Sequence, residues 1–274
     1  MPDEISLGQL VAAATAAARA AQPLLTGATR VTAKSGHNDV VTEHDIAAEK
    51  VITEELRRRT PTARIAGEEG AAYDGGGPIT WHVDPIDGTS NYATGAPLYC
   101  ISLGATVTGH AVAGVILDPC RDELFATTET GIEVAGQARA RVTGAPAVQE
   151  RDAVLLTNFP YEGAWYDESH VDSYREILRS FRGVRRLGSS ALALAWVAAG
   201  RVSAACELRT QPWDHAAGIA LVRAAGGTVL GFDAQGRETS AIDATVSYAV
   251  GAPGFELRGS ALERLLRAHL PSRH

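Results

Sequence analysis

Apolar residues recur at helical spacing over residues 5–24, where Leu7, Leu10, Val11, Ala14, Ala18 and Ala21 share a face. A second helix is predicted from Asp45 to Arg59, with Val51, Ile52 and Leu56 along one side and Pro61 closing it. Strand patterning then takes over. Arg64 to Ala66 reads as a short strand, and Ile79 to Val83 as another that ends in Asp84-Pro85. Residues 98–107, 111–118 and 122–128 are strand-like and separated by turn signals such as Thr108-Gly109, which predicts an antiparallel meander. Gly144-Ala145-Pro146 is the best boundary signal. Beyond it come a strand at Ala153 to Leu156, helices at 164–180 and 190–199, a strand at 202–207, a helix at 213–225 and a strand at 227–230. Ser260, with Glu263 three residues on, starts a last helix that turns Leu262, Leu265 and Leu266 inward. Mixed helices and strands predict a layered α/β or α+β fold, with an N-terminal subdomain over 1–145 and a C-terminal one over 146–274.

Composition narrows the function. The 274 residues carry 25 Lys+Arg against 32 Asp+Glu, a formal charge of −7, and 45% are hydrophobic. That is enough apolar surface to fold, so bulk disorder is excluded. An acidic chain lacks the basic field that coats nucleic acid, and no nucleic-acid partner is expected. An anionic small molecule stays open, because bound cations can reverse the local sign. The longest apolar run, Ala191 to Gly200, is too short to span a bilayer, and the acidic start lacks a secretory pattern. A cytoplasmic location with no membrane partner is the expectation. Cys100, Cys120 and Cys206 lack CxxC spacing and read as small buried hydrophobes rather than a disulfide framework or a zinc site.

The chemistry is concentrated in Trp81-His82-Val83-Asp84-Pro85-Ile86-Asp87-Gly88-Thr89-Ser90-Asn91-Tyr92. Two carboxylates three apart straddle a strand end, and the proline favours extended backbone before it. Such a turn can aim Asp84, the Ile86 carbonyl and Asp87 into one space, an all-oxygen set suited to Mg²⁺. Gly88-Thr89-Ser90 looks like a helix start, whose free N–H groups can hold a phosphate. Taken alone, the segment is equally a surface turn. Glu68-Glu69, between glycines, is by itself a solvated loop or a metal ligand pair, and Asp214, by itself, a helix N-cap or a ligand.

Together these segments closely resemble the inositol monophosphatase family of metal-dependent phosphatases. The matching pieces are Gly67-Glu68-Glu69, Asp84 to Tyr92, and Trp213-Asp214-His215-Ala216-Ala217-Gly218 followed by Ala224-Ala225-Gly226-Gly227. An upstream element is present as Lys34, Asp39, Val41-Thr42 and Asp45, and another as Leu187 to Ala191 with Ala199-Gly200-Arg201. The resemblance spans about residues 30–230. It implies a five-layer αβαβα sandwich and two or three Mg²⁺ per site. Glu68, Asp84 and the Ile86 carbonyl would hold the first ion, and Asp84, Asp87 and Asp214 the second. A weaker third would lie near Glu68. Asp45 and Thr89 would orient and deprotonate the attacking water, with Glu68 in the catalytic set. The substrate would meet Asp87, Gly88, Thr89, Ser90, Ser189, Glu207 and Asp214. Glu69 would stand behind the ligands rather than among them.

Departures from the family pattern lie on the substrate side. Ser203-Ala204-Ala205-Cys206 precedes Glu207, which keeps its distance to Asp214 and could accept from a polyol hydroxyl or stand as a surface strand end. His215 could touch substrate or cap its helix, and capping is the preferred expectation. Asn158 to Trp165, with Tyr161, could wall the leaving group, while His37, His82 and His170 lack partners at ligand spacing. The expected activity is Mg²⁺-dependent hydrolysis of a small polyol or sugar monophosphate, inositol phosphate by default. The alternatives are histidinol phosphate, fructose 1,6-bisphosphate, adenosine 3′,5′-bisphosphate, another pathway-specific sugar or nucleoside phosphate, and a member that binds a phosphorylated ligand without turnover. Similar proteins are commonly dimers, so a homodimer is possible.

Overall fold

The computed structural model describes residues 5–26, 31–33, 40–136, 147–161 and 167–269. Its helices are α1 (Leu7–Ala21), α2 (Glu43–Arg59), α3 (Thr89–Thr94), α4 (Glu168–Ser180), α5 (Ser190–Ala198), α6 (Pro212–Ala224) and α7 (Ala261–Ala268). The strands run in order as β1 (Val31–Ala33), β2 (Val40–Thr42), β3 (Arg64–Gly67), β4 (Ala72–Tyr73), β5 (Ile79–Asp87), β6 (Cys100–Val107) and β7 (His110–Asp118). They continue as β8 (Glu123–Thr128), β9 (Gly131–Gly136), β10 (Val154–Thr157), β11 (Gly183–Arg185), β12 (Ala204–Leu208), β13 (Thr228–Asp233) and β14 (Thr245–Gly251).

The strands build a 7-stranded sheet ordered β4-β3-β5-β6-β7-β8-β9 and a 5-stranded sheet ordered β11-β10-β12-β14-β13. Helices α1 and α2 cover one face of the larger sheet, α5 and α6 lie between the two sheets, and α4 and α7 cover the far face of the smaller one. This is the expected five-layer αβαβα sandwich. Alternation along the strands explains it. Trp81, Val83, Leu103 and Val115 face the α1–α2 layer, while Cys100, Ile116 and Phe125 face α5 and α6. A third apolar cluster joins Leu155, Phe181, Phe232 and Phe255 to Leu262 and Leu266 of α7.

Helix α6 approaches the larger sheet closely because the sheet is notched beneath it. Gly104 and Gly114 face each other across β6 and β7. A Cβ on Gly104 would lie 2.5 Å from the Ala217 nitrogen, and one on Gly114 would lie 2.2 Å from the Ala217 carbonyl oxygen. Only hydrogen at both positions lets helix backbone rest on sheet backbone.

Some element limits differ from the sequence reading. Helix α2 begins at Glu43 because Thr42 is its N-cap, which places Asp45 inside the first turn. Helix α6 begins at Pro212 with Gln211 as N-cap, so Asp214 is not the cap itself but the third helical residue. Helix α4 starts at Glu168, where Asp167 caps it. Strand β5 does not stop at Val83 but runs on to Asp87. Cys120 is exposed, unlike Cys100 and Cys206, because it occupies the turn after β7 where its N–H donates to Asp118. Lys34, Asp39, His37, Trp165 and Gly144-Ala145-Pro146 lie outside the described residues.

Candidate active site

The organising feature is a bulge in β5. Asp84 opposes Ser102 on β6, but Asp87 opposes Cys100, so three steps on one strand match two on the other. In a regular strand, side chains three apart point to opposite faces. The extra residue returns Asp87 to the face of Asp84, the face covered by α5 and α6. Pro85 sits in this bulge without breaking a ladder. The Ile86 side chain drops into the α1–α2 core, and its N–H donates to Asp84 Oδ1 at 3.0 Å.

Three more carboxyl-bearing positions belong to helix N-termini or their approaches. Asp45 Oδ2 accepts from the Thr42 N–H at 2.8 Å and from the Thr42 hydroxyl, a reciprocal cap of α2. Its other oxygen, Oδ1, faces the Thr89 hydroxyl at 3.1 Å. That hydroxyl also lies 2.9 Å from the Ile86 carbonyl, and its single proton serves one acceptor at a time. Asp214 Oδ2 accepts from the Gln211 N–H at 2.7 Å and fastens the start of α6. Glu207, at the end of β12, accepts from the Asn158 N–H at 2.8 Å.

Asp87 caps α5 from another sheet. It accepts from the Ser189 hydroxyl, from the Ala191 N–H at 2.7 Å and from the Ser190 N–H at 3.2 Å. The Ser189 hydroxyl is therefore engaged and buried. Gly88 has φ 97°, a left-handed conformation that lets the chain turn from β5 into α3 at no steric cost. A Cβ there would meet the Leu98 carbonyl at 2.9 Å. Thr89 is partly buried, while Ser90 is exposed on the outer side of α3.

Burial and mutual repulsion dominate the electrostatics. Asp84 is pushed well above the usual carboxylate range by burial and then by the charges of Glu68, Asp87 and Asp214. Asp214 is pushed up to about 8, by burial first and by Asp87 and Glu68 after it, against the pull of the Gln211 N–H. Burial raises Asp87 against the donors of α5, and raises Glu207 strongly. Among the described residues, Asp84, Asp87 and Asp214 form no ion pair with Lys, Arg or His. As placed, no three described His, Cys, Asp or Glu side chains stand at metal-coordination spacing. The fit to a metal rests on donor chemistry: buried hard oxygens that raise one another's proton affinity, which a divalent cation would relieve.

Glu69 sits one residue outside this group. Its N–H, with that of Ala71, donates to the Glu49 carboxylate at 2.9 and 2.8 Å. Gly67 lies against the same carboxylate, leaving no room for a Cβ.

Other expected residues divide. Glu207 is no surface strand end; it is buried opposite Tyr248 and lines a cavity of about 160 Å³ with Asn158, Tyr161 and Asp214. His215 neither caps α6 nor faces the cavity. It is fully buried beneath the helix, with Nε2 3.3 Å from the Ile242 carbonyl, because the position after Asp214 points into the core. His82 is buried against Thr106, and His170 stacks on His269. The sequence reading quoted Asn91 in its central motif but gave it no role; its amide donates to the Leu98 and Leu187 carbonyls at 2.7 Å and ties two site loops together. The sequence reading missed the Gly104–Gly114 notch that sets α6 at its height.

A family model for inositol monophosphatases matches residues 5–268. The chain belongs to the inositol monophosphatase family. This family member is 37% identical over 201 residues to the Nus factor SuhB of Escherichia coli K12, covering 73% of this chain and 74% of that one. It is 38% identical over 199 residues to an inositol-1-monophosphatase of Mesorhizobium japonicum, covering 72% and 74%. The structure of an inositol monophosphatase from Anabaena superposes with a TM-score of 0.74 at 31% identity, over 96% of this chain and 95% of that one. Among the described residues, no helix is long and apolar enough to cross a membrane.

Proposed function

We propose that this family member is a Mg²⁺-dependent phosphatase that hydrolyses a small polyol or sugar monophosphate to alcohol and phosphate by direct in-line attack of water. The reading rests on one observation: the β5 bulge sets Asp84 and Asp87 on one face, within reach of the charges of Glu68 and Asp214, and the Thr89 that follows them faces Asp45 at 3.1 Å. Glu68, Asp84 and the Ile86 carbonyl would hold one Mg²⁺, and Asp84, Asp87 and Asp214 a second, with a weaker third near Glu68. Bound there, the ions would neutralise phosphate charge and make water acidic enough to lose a proton near neutral pH.

The chain's own residues do the rest. Gly88 and Thr89 N–H groups hold the phosphate at the start of α3. Thr89 Oγ1 takes the proton of the attacking water and passes its own to Asp45 Oδ1. Asp45 is kept in place by Thr42, so the acceptor does not swing away. Glu207 and the cavity wall receive the alcohol. The same reading includes a cytoplasmic homodimer without a nucleic-acid partner.

A second reading is prompted by the E. coli relative, whose name, Nus factor, states no hydrolytic activity. In it, the chain binds a phosphorylated ligand in a regulatory role without turnover. A phosphate-release screen over polyol, sugar, nucleotide and histidinol phosphates, with and without Mg²⁺, separates the two. Release that depends on Mg²⁺ supports the phosphatase, and no release from any ester supports the binder.

A further inference from the structure

Arg209 occupies a backbone conformation that suits glycine. Its φ is 60°, in the left-handed region, where a Cβ crowds the following carbonyl. The turn between β12 and α6 requires it. Leu208 pairs with Ser247 on β14, and the Thr210 N–H donates to the Val246 carbonyl at 2.8 Å. Both neighbours are buried, and only Arg209 is turned outward. A glycine would make this turn without strain. A long cation is kept there instead, and strain retained beside a cavity points to a use for the side chain.

The guanidinium lies over the Tyr161 ring, with Cζ 4.0 Å from the ring centroid. Arg209 lines the 160 Å³ cavity that also contains Glu207, Asn158 and Asp214. It equally lines a neighbouring cavity of about 500 Å³, bounded by His170, His269 and Ser247. It therefore stands where the alcohol side of a bound ester would leave the first cavity for the second. Other arginines of this half of the chain are engaged: Arg201, Arg237, Arg258, Arg264 and Arg267 all pair with carboxylates. Among the described residues, Arg209 has no salt bridge and no hydrogen bond. Arg186, exposed ahead of α5, lies near enough to Glu207 to oppose the upward push of burial on it. Arg209 thus gives the far side of the cavity a cation, while the reacting side is a cluster of carboxylates.

We propose that Arg209 is a specificity-determining residue that holds a second anionic group, a phosphate or carboxylate, on the alcohol portion of the substrate. This rests on the phosphatase reading and narrows its substrate class from simple polyol monophosphates to phosphate esters that carry a second anionic group. Contact with Tyr161 holds the guanidinium at the cavity wall, and its N–H groups, without another acceptor among the described residues, can donate to a planar or tetrahedral oxyanion.

The test uses the full chain and three esters: fructose 6-phosphate, fructose 1,6-bisphosphate and 6-phosphogluconate. Phosphate release with Mg²⁺ gives kcat/KM for each, and titration calorimetry on chelated protein gives binding without turnover. The variants are Arg209→Gly, which relaxes the turn, and Arg209→Lys, which keeps charge without the planar fork. Wild type is expected to favour an ester with a second anionic group over fructose 6-phosphate. Arg209→Gly should lower that ratio at least tenfold, mainly through KM, and Arg209→Lys should retain part of it. Preference for the bisphosphate alone identifies a second phosphate, and preference for both esters a general anion site. An unchanged ratio in Arg209→Gly overturns the proposal. If no ester releases phosphate, the phosphatase reading fails, and the calorimetry still decides: equal binding preference in wild type and Arg209→Gly refutes a role for Arg209, and a lost preference upholds it.

Discussion

Replacing Asp214 by asparagine should make the chelated protein more stable at neutral pH, although it weakens the site. The structure supplies the reason. Asp214 is pushed up to about 8 from an ordinary 3.8, chiefly by burial. A folded-state value above the unfolded one means that folding takes up a proton between those limits. The group's stabilising contribution is therefore complete below about pH 4 and is lost as pH rises toward about 8. The slope for one proton is about 1.4 kcal/mol per pH unit, which sets a ceiling of about 6 kcal/mol over the interval. Asp214 keeps partial contact with solvent, and screening reduces the effect to about 3 kcal/mol.

Asparagine retains an oxygen for the Gln211 N–H, so the cap of α6 survives while the titration disappears. Urea unfolding in chelator at pH 5, 6, 7 and 8 is the assay. Wild-type stability should fall by about 1 kcal/mol more per pH unit than that of Asp214→Asn, with the variant ahead above pH 6. Adding Mg²⁺ should reverse the order, because a ligand that binds only the folded state stabilises the chain that binds it more tightly. Parallel pH profiles for the two proteins would show that Asp214 is not a charge confined among carboxylates, and the metal assignment would lose its electrostatic basis.

Four further outcomes are expected. Chelation should abolish phosphate release and Mg²⁺ restore it; full turnover in excess chelator refutes the metal-dependent mechanism. Thr89→Ala and Asp45→Asn should each lower kcat by roughly 10²–10⁴ with KM within a few-fold. The double variant should lose little more than either, and multiplicative defects would dissolve the dyad. Gly114→Ala should cost about 1–3 kcal/mol in urea unfolding and lower kcat, because a Cβ forced against Ala217 lifts α6 and with it Asp214. Arg201→Met should cost about 3 kcal/mol at pH 7, because it strands buried Glu123, which accepts both guanidinium bonds at 2.7 Å. The Arg201 hydrogen bond holds Glu123 below 4.5, so the wild-type advantage should shrink as pH falls below about 4.5, read from paired unfolding curves at pH 7 and 4.

The parts of this site that were legible in the sequence are those whose cause is local. The α1 stripe, the Ser260 cap of α7 and the glycine at position 88 are decided by residues within a few positions of one another. The carboxylate segments were also legible, through their likeness to one family. What escaped was decided across the sheet. Asp84-Pro85 has the composition of a strand end, yet β5 continues because β6 accommodates a bulge there. The fate of His215 depends on the Ile242 carbonyl and the Tyr248 ring of β14, neither of them nearby in sequence. Arg209 carries no signal in its residue type, since nothing in the sequence marks a left-handed turn occupied by arginine.

In the proposed reading Asp45, Asp87 and Asp214 each serve twice, as an acceptor at a helix start and as a group of the active site. Each accepts backbone N–H groups at the start of a helix, Asp45 for α2, Asp87 for α5 and Asp214 for α6. Such bonds favour the ionised carboxylate, opposing the burial that pushes Asp87 and Asp214 toward the neutral form. Each bond also ties its carboxylate to the positive end of a helix, which favours the ionised form there. A carboxylate held only by a cation would lose its orientation when the cation left. One held by a helix start keeps it, so the helices would preserve much of the donor orientation in a site that binds and releases a cation. The same economy makes these positions intolerant of change. Alanine at position 87 would remove the acceptor for Ser189, Ser190 and Ala191 together with the charge, so a stability loss would accompany any loss of rate. Asparagine, which keeps an acceptor at each position, is the substitution that separates the cap from the charge.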